Sequence, residues 1–142
     1  MAGAESIRPE HPRPRQLSEL ALKLGLSDLT VTDTEISGVA ASSGEVHVGD
    51  LFFALPGERS HGAQFAAQAV ASGAVAIVTD SHGVELLPDL GVTVLTVDEP
   101  RSILGAISSW VYHTDHTAPE LFGVTGTNGK TTVVYLLTAL LE

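Results

Sequence analysis

The stretch GVTGTNGKTT, residues 123–132, carries the residue types of a phosphate-binding loop. Gly126 and Gly129 let backbone N–H groups approach phosphate oxygens with no Cβ between them, and a helix beginning at Lys130 adds the positive end of its dipole. Lys130 would reach the β- and γ-phosphates as the catalytic cation, and the Thr131 hydroxyl would ligate Mg²⁺. Thr127, Asn128 and Thr132 complete the stretch expected to hold ATP. The general pattern G-x-x-x-x-G-K-[ST] asks for glycine at position 124, where this chain has Val124, so the loop is a variant of it. A glycine-rich turn with an exposed lysine is the bland alternative.

A second chemistry-bearing stretch is PGERSHG, residues 56–62. It lies between the end of one expected strand and the start of an expected helix, where α/β folds bring their ligands, and His61 is its candidate binding residue. A plain surface-loop histidine is the competing reading. His113 and His116 do not make a metal site, since no third ligand of fitting spacing accompanies them.

These residues need elements to position them. Gln16 to Leu24 has Leu17, Leu20, Ala21 and Leu24 at helical spacing, closed by Gly25. Ile36 to Ala40 and Leu51 to Leu55 read as strands, the second opened by Gly49-Asp50 and stopped by Pro56-Gly57. Ala63 to Ser72 reads as an alanine-rich helix. Val75 to Thr79 and Val92 to Val97 are apolar runs without alternation, as expected of central strands covered on both faces. A further helix lies between Asp98 and His113, with Asp98 as its cap and Pro100 in its first turn. Leu121 to Thr125 then reads as a buried strand and Lys130 onward as a helix with Leu136, Leu137, Leu140 and Leu141 on one stripe. The expected class is α/β: a small N-terminal nucleotide-sugar-binding domain, then the first strand, phosphate loop and helix of a truncated P-loop-like domain.

Composition narrows the partners. At 142 residues and 44% hydrophobic the chain is long enough for a domain with a real core. It has no cysteine, hence neither disulfides nor a thiolate zinc site. The N-terminus, MAGAESIRPEHPRPR, lacks the apolar run of a signal peptide or a membrane span, so a cytoplasmic protein without membrane insertion is expected. Net charge is −10, and beyond Arg8, Arg13 and Arg15 the only Lys or Arg residues are Lys23, Arg59, Arg101 and Lys130. With no basic stripe to neutralise a phosphate backbone, nucleic acid is not an expected partner. A small anion held by single cations and helix N-termini still is.

Residues 1–15, punctuated by Pro9, Pro12 and Pro14, read as a flexible leader; 16–115 as the first domain; 116–142 as the start of a second, with the boundary in HTDHTAPE, residues 113–120. A lone strand and helix cannot bury both faces of the strand, and the leucine stripe still runs at Glu142. The chain is therefore expected to be a piece of a longer polypeptide, cut inside its second domain.

GVTGTNGKTT followed by VVYLL, with VGDLFFALPGERSHGAQFAAQAVASGAVAIVTD upstream, resembles the Mur ligases of peptidoglycan synthesis, from about Ile36 to the chain end. Within that family it is most similar to the branch that adds the third amino acid. The resemblance implies a first domain holding the UDP end of the substrate and a central domain holding ATP and Mg²⁺. It implies phosphoryl transfer to the D-glutamate side-chain carboxylate of UDP-N-acetylmuramoyl-L-alanyl-D-glutamate, giving an acyl phosphate. A diamino acid, meso-diaminopimelate or L-lysine, then attacks it. The family's D-S-R loop falls on Ser42, Ser43 and Gly44, of which only Ser43 matches. Ala41, Ser43, Arg59, Ser60 and His61 would contact the nucleotide, and Gly126 to Thr132 would bind ATP. The resemblance also leads to expecting a monomer, inactive as this piece alone. Two alternatives stay open: the sister ligase that adds D-alanyl-D-alanine, and a nucleotide-sugar-binding module without catalysis.

Overall fold

The computed structural model describes residues 8, 9, 11–26, 34–116 and 122–141. Strand β1 (Arg15–Gln16) runs into helix α1 (Leu17–Lys23) and pairs antiparallel with β2 (Glu35–Ile36). Strands β3 (Gly38–Ala40), β4 (Asp50–Phe53), β5 (Ala76–Thr79) and β6 (Thr93–Thr96) form one parallel sheet in the order β3-β4-β5-β6. Helices α2 (Ala66–Ala71), α3 (Ser81–Leu86) and α4 (Pro100–Val111) follow β4, β5 and β6, and α5 (Lys130–Leu141) follows the glycine-rich loop.

The sheet is covered on both faces, which is why its strands lack alternation. Strands added one after another in a single direction by right-handed crossovers put every connection on the same face. That face carries Ala63, Ala66 and Ala69 against Phe52, Ala54 and Ile77; the small alanines let α2 sit close. After the last strand no crossover follows, and α4 turns to the other face with α1. There Leu17, Leu20, Ile107, Trp110 and Val111 pack on Leu51, Phe53, Val78 and Leu95. Each large side chain buried this way contributes about 1.5–3 kcal/mol.

Several expectations shift in detail. The strand expected over 36–40 divides at Ser37, whose N–H bonds to Gly49 O (2.9 Å), so Ile36 pairs with β1 and Gly38 onward with β4. The helix expected from Ala63 begins as a 3-10 turn, Gly62–Phe65. Glu99, not Asp98, occupies the cap position of α4 and makes no side-chain cap bond; Pro100, with no N–H, leaves one donor fewer to satisfy. Of the strand expected over 121–125, Leu121 lies outside the described residues and 122–125 form no strand, since no described strand pairs with them. Helix α3 was not anticipated.

The described residues of the leader make contacts with the domain. Arg8 Nη1 donates to both oxygens of the buried Asp50 carboxylate (2.6 and 2.8 Å), and Nη2 donates to Val39 O and Glu45 O (3.2 and 3.0 Å). His113 Nε2 donates to Arg13 O (3.0 Å), and Arg15 Nε donates to Trp110 O (3.1 Å) with its guanidinium 4.8 Å from the indole centroid. Arg8, Arg13 and Arg15 thus each have a partner on the domain. Arg15 also pairs with Asp115 at 3.8 Å, so the segment expected to be a linker is in part the leader's receptor.

Candidate functional site

Parallel strands point their carboxyl ends the same way, and the loops that leave those ends surround a cavity of about 460 Å³. Ala41, Ser42 and Ser43 follow β3; Leu55, Pro56, Gly57 and Ser60 follow β4; Arg101 comes from the first turn of α4. Phe65, 45% exposed, supplies an open aromatic face. Of the residues expected to touch a nucleotide, Ala41, Ser43 and Ser60 meet in this cavity. Arg59 is exposed on the same loop but is not among the lining residues.

His61 turns inward and is only 7% exposed. Its Nδ1 accepts from Ala63 N–H (3.0 Å), which leaves the ring proton on Nε2 to be donated to Asp80 Oδ1 (3.1 Å). Asp80 Oδ1 also accepts from Gly83 N–H (2.7 Å), capping α3. Gly83 must lack a side chain here, since a Cβ would stand 1.9 Å from Thr79 Oγ1 and 2.7 Å from His61 Cε1. Thr79 Oγ1 in turn donates to Ala54 O (2.9 Å). His61 thus braces the 54–62 loop from behind.

Partial burial alone would raise the Asp80 carboxyl, but the hydrogen bonds from Gly83 N–H and His61, with the electrostatic influence of the neighbouring imidazoles, outweigh it and hold it below the ordinary carboxylate value. A depressed folded-state pKa contributes stability that is complete above the unfolded value of about 3.9 and is lost as pH falls through the folded one. Asp80→Ala is therefore expected to cost about 1–2 kcal/mol near neutral pH. The gap between variant and wild type should narrow progressively below about pH 4. Urea unfolding at a series of pH values measures both; a gap independent of pH would contradict the assignment.

Arg101 escaped the sequence reading. The signal was present: a cation in the first turn of the helix that follows β6, which is an edge strand and not the central one expected of the run Val92 to Val97.

At the second candidate site Gly126 and Gly129 have φ of +151° and +79°, values that favour glycine. Lys130 opens α5, folding its ammonium back onto Gly126 O. Thr131 and Thr132 are exposed in the first turn, where helix N–H groups have no acceptor within the helix. The donor set fits a nucleotide phosphate: open N–H groups, a lysine and a hydroxyl on one short turn. Among the described residues no group of three His, Cys, Asp or Glu could hold a metal ion, and no helix is long and apolar enough to cross a membrane.

A family model described as "Mur ligase family, catalytic domain" matches residues 35–114, more than half of the chain. The chain belongs to the Mur ligase family. A UDP-N-acetylmuramyl-tripeptide synthetase of Leifsonia xyli is 45% identical over 137 residues, 96% of this chain and 27% of that one. A UDP-N-acetylmuramoyl-L-alanyl-D-glutamate--2,6-diaminopimelate ligase of Streptomyces avermitilis is 42% identical over 132 residues, 92% of this chain and 26% of that one. Among solved structures, a UDP-N-acetylmuramoylalanyl-D-glutamyl-2,6-diaminopimelate--D-alanyl-D-alanyl ligase of Acinetobacter baumannii aligns with TM-score 0.66 and 28% identity, over 92% of this chain and 28% of that one. The chain thus spans about a quarter of the length of the Mur ligases it matches.

Proposed function

We propose that this chain is the N-terminal part of an ATP-dependent, ADP-forming amide ligase that adds a diamino acid to UDP-N-acetylmuramoyl-L-alanyl-D-glutamate, working as a cytoplasmic monomer. The observation that carries this reading is the cavity at the carboxyl edge of the sheet, with Ala41, Ser43 and Ser60 on its wall, on the same chain as the loop GTNGKTT. The first would take the UDP end of the substrate, and the second would take ATP through Gly126 to Thr132. The printed names of the Leifsonia and Streptomyces relatives support the choice of branch.

Bound ATP with Mg²⁺ on Thr131 would supply the phosphoryl group that activates the D-glutamate carboxylate. The chain's own task is electrostatic. Carboxylate and γ-phosphate repel each other, so Lys130 must leave Gly126 O and neutralise charge between them before they meet. Arg59 would add long-range attraction for the nucleotide from the loop rim, and His61 would serve by fixing the loop's shape. The dimensions suit a ligand of this kind, since small-molecule sites are commonly clefts of about 300–1,000 Å³.

The similarity to the solved Acinetobacter ligase favours one second reading, addition of D-alanyl-D-alanine to the UDP-linked tripeptide. Supplying the full-length protein with ATP and each substrate pair separates the two. ADP formed with UDP-N-acetylmuramoyl-dipeptide plus diaminopimelate or lysine is the expected result. ADP formed only with the UDP-tripeptide plus D-alanyl-D-alanine would move the assignment to the sister branch.

Phe65 gives an independent check on the cavity. Aromatic faces that stack on a base contribute about 1–3 kcal/mol, so Phe65→Ala should weaken uridine and UDP alike by roughly tenfold or more. Equal affinity in the variant would argue against a base in this cavity.

A further inference from the structure

We infer that Arg101 is the residue that grips the diphosphate of a nucleotide in the carboxyl-edge cavity; the inference rests on the proposed reading of that cavity as the nucleotide site. Three observations converge on it. Arg101 is the only charged side chain among the residues lining the cavity, in a chain of net charge −10. No acidic side chain lines the wall among the described residues, so nothing there opposes a dianion. Among the described residues Arg101 donates one hydrogen bond, Nη2–H to Pro56 O at 3.0 Å.

A guanidinium carries five N–H donors in a planar fork that matches paired phosphate oxygens, and one bond to a carbonyl leaves most of them unused. That single bond also fixes the fork. Pro56 lies three residues after the end of β4 and itself lines the cavity, so the guanidinium is anchored at the cavity wall before any ligand arrives. Pre-anchoring lowers the ordering cost that an exposed arginine would otherwise incur on gripping an anion. Ser60 adds a hydroxyl donor to the same wall but no charge, while the Ser43 hydroxyl donates to Gln68 Oε1 at 3.1 Å. Arg59, the arginine expected to contact the nucleotide, is not among the lining residues. The division of labour is therefore by ligand part: apolar and hydroxyl groups accept the nucleoside, and Arg101 discriminates for the phosphates.

The test compares uridine with UDP, titrated into the 142-residue chain and followed by backbone amide shifts and calorimetry. In wild type, UDP should bind more tightly than uridine, and its affinity should fall as salt rises. Arg101→Gln, which keeps an N–H donor for Pro56 O but removes the charge, should weaken UDP about tenfold, flatten the salt dependence and leave uridine unchanged. Arg101→Lys should recover part of the UDP affinity, because it restores the charge without the fork. A purely structural role through Pro56 would weaken both ligands equally and leave the salt slope as it was, which overturns the inference. UDP binding unaltered in Arg101→Gln overturns it too, while leaving the cavity reading intact. No UDP binding to wild type overturns both, and is distinguishable from the other outcomes because the variant plays no part in it.

Discussion

Lys130→Ala in the full-length ligase is expected to lower turnover by about a hundred- to a thousand-fold, the usual effect of removing one preorganised donor from a developing charge. The effect should fall on the chemical step, because a cation that strengthens its contact as charge shifts acts on the transition state and not equally on the ground state. Stability should change little, since Lys130 is exposed and its ammonium bonds only the carbonyl of its own loop among the contacts described. Binding of UDP should be untouched, as the lysine is absent from the cavity lining. Steady-state rates with saturating ATP, beside UDP titration and thermal unfolding of the same variant, check each part. Turnover within about threefold of wild type, less than 1 kcal/mol of barrier, would remove the phosphate-loop assignment.

Arg8→Ala is expected to produce the largest loss of stability of any change in the leader. Asp50 is 1% exposed and Arg8 23%, so removing the arginine strands a carboxylate inside the sheet with His47 N–H (2.8 Å) as its remaining hydrogen-bond donor among the described residues. Removing one partner of a buried pair costs about 3–5 kcal/mol, and the partial exposure of Arg8 argues for the lower end. Burial by itself would lower the Arg8 pKa, but the Asp50 hydrogen bond and charge overcome it and raise the value. A raised cation pKa means that the contribution is complete below the unfolded value and is lost only as pH rises through the folded one, beyond the neutral range. The deficit of Arg8→Ala should therefore persist unchanged from mildly acid to mildly alkaline pH. Arg8→Lys should fall between, since an ammonium cannot reach two carboxylate oxygens and two carbonyls in one plane. Urea unfolding of the three proteins tests the order; a deficit for Arg8→Ala below about 0.5 kcal/mol, the scale of ordinary surface changes, would mean that the pair does not hold the leader.

The sequence made the strands and most helices readable because both faces of the sheet are buried: Val75 to Thr79 could not be anything but a covered strand once its neighbours carried turn signals. It also identified three cavity residues, Ala41, Ser43 and Ser60, through motif position. What stayed hidden was side-chain direction. Nothing local distinguishes the inward ring of His61 from the outward side chain of Arg59 two positions earlier; that choice is made by Asp80, nineteen residues on, through a hydrogen bond to Nε2. Arg101 lay hidden for the same reason, because its cavity is assembled from loops of three different strands. The contacts of the leader's described residues were not legible either, because prolines exclude helix but do not distinguish a free segment from a docked one. Its partners on the domain, Asp50, Trp110 and His113, are distant in sequence and leave no local trace.

That docking has a consequence for the order in which the molecule is made. Arg15 closes onto Trp110 across 95 positions and Arg13 onto His113 across 100, so these bonds wait until almost the whole domain has been synthesised. Contacts of such long range are reached late, after local helices and neighbouring strand pairs have already offset the cost of closing the intervening loop. On the ribosome, the sheet can therefore assemble strand by strand in the order in which it emerges, β3 to β6, and Arg8 can pair with Asp50 of β4 early, while Arg13 and Arg15 remain undocked. Their engagement with the end of α4 is the event that closes the circuit from the beginning of the domain to its end. A nascent chain halted before Trp110 clears the tunnel should remain cleavable after Arg15 by trypsin, and one halted well beyond Asp115 should resist.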